Sequence, residues 1–147
     1  MSRIQETESF FKKGYSCSQA VLAAFGPKLG VDRATALGIA SGFGGGMGRT
    51  GNACGAVSGA LMAVGLRYGR PDASPAESRA KATEKAREFV ERFESRHGSI
   101  ECKTLLGVDL REPDGHAKAA AQDLFKTVCA PLVRDAAEIL AEILEDA

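Results

Sequence analysis

Apolar positions recur along this chain at helical spacing, and nowhere do they alternate at period two over a useful length, so no strand is predicted. The first segment, Ile4 to Lys13, carries Phe10 and Phe11 on one side. Ser16 can cap a second helix through Ala20, Val21, Ala24 and Phe25, stopped at Gly26-Pro27. Asp32 can cap a third, through Leu37 and Ile39 to about Ser41. A glycine-rich loop follows, SGFGGGMGRTGN, and Asn52 is placed to cap a helix from Ala53 to about Tyr68.

Ser74-Pro75-Ala76-Glu77 is a capping box with proline at the first helical position. It opens the longest helix, to about His97, with Ala82, Ala86, Phe89, Val90 and Phe93 as its apolar stripe. Glu77–Lys81 and Glu88–Arg92 have the spacing of ion pairs on its wet side. Ser99 can cap a short helix bearing Cys102, Leu105 and Leu106. After a loop from Val108 to Gly115, helix is predicted from His116 to Val128. Pro131 breaks or restarts it, and Leu132 to Leu144 completes the chain. The expected fold is all-α: a single-domain, multi-helix bundle spanning 1–147, around a buried, Gly/Ala-rich central helix. That helix, ACGAVSGALMAVGL, is apolar all round. Its Gly55, Gly59 and Ala63 recur every four residues and would let another backbone come close; left exposed, the same face would suit a homodimer.

Composition narrows the function. Nineteen basic residues balance nineteen acidic ones, so nothing attracts a polyanion overall and nucleic acid is not an expected partner. No apolar h-region is visible in MSRIQETESFFKKG, and the longest apolar stretch, Ala53 to Leu66, falls short of the roughly 20 residues needed to cross a bilayer. A cytoplasmic location without membrane insertion is the expectation. In a reducing compartment the four cysteines are not expected to form structural disulfides.

Those cysteines are the candidate chemistry. Cys17 follows the cap Ser16, Cys54 lies two residues after Asn52, Cys102 three after Ser99, and Cys129 two before Pro131. Each therefore falls at or near a predicted helix start, where free N–H groups and the helix dipole stabilise a thiolate. No CxxC occurs, so any pairing must come from the fold. Three readings stay open. One is dithiol/disulfide exchange with a small-molecule or protein thiol partner, which needs no cofactor, with Cys54 as nucleophile and Cys17, Cys102 or Cys129 resolving the mixed disulfide. A second is zinc or an iron–sulfur cluster on Cys17, Cys54, Cys102 and Cys129. In the third, the thiols are buried and inert.

The glycine loop formally matches GxGxxG at Gly46, Gly48 and Gly51, but no strand precedes it. Gly45, Gly46, Gly48 and Gly51, with Arg49 as counter-charge, form either an anion or cofactor cradle or a tightly packed loop. His97 and His116 read as solvated loop residues. HExxH, GxSxG, P-loop and CxxCH patterns are absent.

With Cys17 in its GYSCSQAV context, the motif Cys54-Gly55-Ala56-Val57-Ser58-Gly59 after GGGMGRTGN, and Cys102 and Cys129, the chain resembles the four-cysteine redox-active proteins labelled C-GCAxxG-C-C. The resemblance runs from about residue 8 to 135. It implies redox chemistry at the four cysteines, a reading favoured by selenoprotein members of the family. A haem-bearing relative has a similar helical region, but without the attachment motif its function does not carry over.

Overall fold

A computed structural model of the chain describes residues 1–145. The helices are α1 (Arg3–Lys12), α2 (Cys17–Phe25), α3 (Arg33–Ala40), α4 (Gly44–Met47), α5 (Gly55–Tyr68), α6 (Pro75–His97), α7 (Cys102–Leu106), α8 (Gly115–Ala121) and α9 (Ala130–Ile143). A π-turn at Phe125–Cys129 leads into α9. Local chemistry accounts for many of the starts. Ser16 and Gln19 form a reciprocal capping box on α2, Ser2 and Gln5 do the same on α1, and Asp32 and Ser74 accept from the N–H three residues on.

The architecture is all-α, with α5 at its centre. α5 packs against α2, α6 and α9, while α1 packs on α2 and α9. Phe25, Phe89, Phe93, Leu22, Ile139 and Leu140 are fully buried between these helices. No helix among the described residues is long and apolar enough to cross a membrane.

The glycine face of α5 is taken up within the chain. A Cβ on Gly59 would stand 2.7 Å from the Ser18 carbonyl oxygen, and one on Gly55 would stand 3.0 Å from the Ser18 nitrogen. The α2 backbone thus rests directly on α5. Ser18, fully buried, donates from its hydroxyl to Ala40 O at 2.8 Å, and Gln19 donates to Leu37 O, which anchors the same end of α2 to α3.

Several predicted details are refined. Asn52 caps nothing: α5 begins at Gly55, because residues 52–54 pair instead with 100–102 through an isolated antiparallel bridge, Ala53 with Glu101. Asp123 adopts φ +58° and interrupts the helix predicted from His116 to Val128. Pro131 lies in the first turn of α9, at the restart its position allows. The wide π-turn falls where its missing N–H leaves a carbonyl unpaired. On α6 the Glu88–Arg92 pair forms at 3.2 Å, whereas Lys81 meets Glu84 rather than Glu77.

Gly59→Ala drives a methyl into backbone that cannot rotate away. The expected loss is about 1–3 kcal/mol in a chemical denaturation midpoint experiment, typical of overpacking; Gly65→Ala, whose Cβ meets nothing within 4 Å, serves as the control and costs nothing.

Candidate functional site: a four-thiol cavity

Residues on either side of the Ala53–Glu101 bridge carry two of the cysteines. Cys54 donates its N–H to Ile100 O and Cys102 donates its own to Asn52 O, each at 2.6 Å. This register puts residues 54 and 102 on the same face of the bridge, as diagonal neighbours. Cys17 arrives at the first position of α2, held against Gly55 by the contact described above: its Cβ is 3.2 Å from where a Gly55 Cβ would stand. Cys129 closes the set from the end of the π-turn.

All four cysteines are free thiols and line one cavity of about 890 Å³. Cys54, Cys102 and Cys129 are buried and Cys17 is half-buried. All four stand at helix starts: Cys17 and Cys102 open α2 and α7, and Cys54 and Cys129 are the N-caps of α5 and α9. At Cys129 the start is not free, because the N–H of Ala130 is already given to Phe125 O.

α4 is the device that joins them. It touches α2, α5 and α7. Its chain turns left-handed: φ is positive at Gly45, Gly46, Met47, Gly48 and Arg49 in succession. Met47 and Arg49 carry Cβ atoms in this region, which costs roughly 1–2 kcal/mol each. Gly46 has no room for more than hydrogen, since a Cβ there would lie 2.6 Å from Asn52 N and 2.7 Å from Cys102 Cβ.

The expected cradle residues therefore divide. Gly45, Gly46, Gly48 and Arg49 line the cavity; Gly51 does not, and packs on Lys103 and Asp109 instead. The N–H groups of Arg49, Gly51 and Asn52 are spent on the carbonyls of Gly44, Gly45 and Gly46. The loop is thus closely packed and internally bonded as well as cavity-lining. His116 is exposed and lines the cavity, its ring 5.1 Å from Phe125. His97 lies elsewhere, half-buried, 3.0 Å from Asp135.

The thiols are electrostatically unequal. At Cys54, burial pushes the thiol up to about 11 although the N–H groups of Ala56 and Val57 act in the opposite direction. At Cys102, burial and then the neighbouring Cys54 and Cys129 raise it to about 12. Cys17 packs into the cluster that holds Cys129, and the two thiols act on each other. That interaction pulls Cys129 below the usual thiol value and, together with burial, pushes Cys17 well above it. Among the described residues, no three His, Cys, Asp or Glu side chains converge closely enough to hold a metal ion. The four-cysteine ligand set expected as an alternative is not assembled in this geometry.

Residues 15–143 match the family model described as "Putative redox-active protein (C_GCAxxG_C_C)". The chain belongs to this family. The match takes in all four cysteines, so in this C_GCAxxG_C_C protein the four thiols line one cavity. No curated protein and no solved structure was found to match it.

Thiolates react and thiols do not, so the order of alkylation follows these shifts. As pH rises from 6, Cys129 is expected to react first with iodoacetamide. At pH 8 Cys54, with its value near 11, is about 0.1% thiolate. Cys17→Ala removes the neighbouring thiol that lowers Cys129 and moves the Cys129 profile upward, toward that of an ordinary thiol. Peptide mass mapping after timed alkylation checks both.

Proposed function

We propose that this protein is a dithiol/disulfide oxidoreductase in which Cys129 is the nucleophile and Cys17 the resolving thiol. The observation that carries the reading is the convergence of the four thiols on one cavity, where Cys17 packs into the cluster that holds Cys129 and lowers its value. This supplies one thiol that ionises more readily than its neighbours and a second sulfur in the same cluster. The sequence points to Cys54 as nucleophile. Cys129 takes that place here because Cys54 and Cys102 stay protonated at neutral pH.

The Cys129 thiolate attacks one sulfur of a disulfide R–S–S–R′. The Cys129–S–S–R bond forms and R′S⁻ leaves with the electron pair of the broken bond. Cys17 Sγ then attacks Cys129 Sγ. The Cys17–Cys129 bond forms, the bond to R breaks, and the Cys17 proton goes to the departing RS⁻. Two protein thiols lose two electrons and the substrate disulfide gains them. The reverse sequence oxidises a substrate dithiol.

Cys129→Ser is expected to lower the rate of reduction of a small disulfide by about a hundredfold or more, while Cys54→Ser stays within a few-fold of the parent. Cys17→Ser is expected to stall as a mixed disulfide, visible as the added mass of R in intact-protein mass spectrometry. An unchanged rate in Cys129→Ser overturns the assignment.

A further inference from the structure

The cavity has a charge pattern that thiol exchange alone does not explain. Its walls are largely apolar, with Phe11, Leu105, Leu106, Leu110, Phe125 and Leu132 facing the thiols. Lys12, Arg49 and Lys126 also line it, and no Asp or Glu does. The nearest carboxylate that the cysteines feel, Asp109, is not part of the lining and accepts the Arg111 N–H. The three cations come from separate elements: the end of α1, the loop after α4, and the π-turn. All three are exposed, and none makes an ion pair among the described residues.

What marks the rim is position rather than the lack of partners, since Arg79 and Arg87 on α6 also make no ion pair among the described residues: three cations line one cavity that no carboxylate lines. Arg49 is also held in place. Its Cγ lies 2.8 Å from the site a Gly45 Cβ would fill, so its stem folds over the glycine and its backbone stays left-handed at φ +60°. The volume suits a small molecule rather than a folded partner's loop and flank.

Resting on the thiol-exchange reading, we infer that the cavity binds a small disulfide, or its thiol, with an apolar body and at least one carboxylate or phosphate. The apolar body fills the space beside the four sulfurs. The anionic group sits at the mouth against Lys12, Arg49 and Lys126, where low-dielectric walls focus their field. Net charge and body shape together select the substrate, and the anion brings the disulfide to Cys129 in one orientation.

The test uses the full-length reduced protein under anaerobic conditions with three probes. One is dithiobis(nitrobenzoate), an aromatic disulfide with two carboxylates; the second is dithiodipyridine, aromatic and neutral; the third is cystamine, which is cationic. Each rate is divided by the rate of the same probe with free cysteine. The expected result is a preference of about tenfold or more for the anionic probe over the neutral one, with cystamine slowest, and a collapse of that preference in high salt. Replacing all three cations, Lys12→Gln, Arg49→Gln and Lys126→Gln, is expected to slow the anionic probe by about tenfold and leave the neutral probe within twofold. The neutral probe thereby reports that the variant is folded and its Cys129 intact. Equal normalised rates for the anionic and neutral probes, or a triple variant that keeps the preference, overturn the inference while leaving thiol exchange standing. Failure of every probe to label Cys129 overturns the thiol-exchange reading itself.

Discussion

The close approach of two helix backbones, α2 on α5, is the constraint on which the site depends. Gly55 and Gly59 leave no side chain between them, so Ser18 sits against the central helix and Cys17 is carried to the mouth of α5. A residue of ordinary size at either glycine would lift the start of α2 away. Cys17 would then lose its place beside Cys129, and the Ser18 hydroxyl would lose Ala40 O. The packing that builds the core and the packing that builds the thiol pair are thus the same contact. The left-handed turn at α4 depends on it in turn: a Gly44 Cβ would stand only 2.7 Å from Ser16 Cβ.

Within the cavity, burial and partnership compete for each sulfur, and the outcome differs by position. A helix start offers a thiolate on the order of 0.3–1 kcal/mol, up to about 2 in a sheltered site. Desolvation of a buried thiolate can exceed this by several-fold. Cys54 has the helix start and still ends high, since its N–H donors are outweighed by burial. Cys129 has no free helix start, yet the Cys17 thiol acting on it outweighs burial and lowers its value. A specific neighbour wins where a diffuse dipole does not. The result is a division of labour among chemically identical side chains.

Much of the fold is legible in local chemistry. Ser16, Asp32 and Ser74 announce their helices because a cap is a contact over three residues and leaves a local signature. Asn52 misleads for the opposite reason. Its segment is claimed by residues 100–102, a pairing across about fifty positions that no local pattern encodes. The positions of the cysteines near helix starts are readable, and so is the helix face that α2 covers. Their convergence is not, since four segments far apart in sequence have to meet. The cation rim is invisible for the same reason. Lys12, Arg49, Lys126 and the neighbouring His116 lie on separate elements, with no motif linking them.

The two sulfurs of the proposed couple come from nearly opposite ends of the chain, brought together because α9 packs on both α1 and α2. Their separation gives the couple a thermodynamic meaning. A covalent link between residues 17 and 129 would enclose a loop of roughly a hundred residues and remove on the order of 4–5 kcal/mol of chain entropy from the unfolded ensemble. The cycle closes both ways: if oxidation favours the fold by that much, the fold favours oxidation equally. By the two-electron relation, this makes the folded couple roughly 100 mV more reducing than the same two thiols in the unfolded chain. Conformational stability and reducing power would then be one quantity, set by how far apart in sequence the chain has placed its two sulfurs.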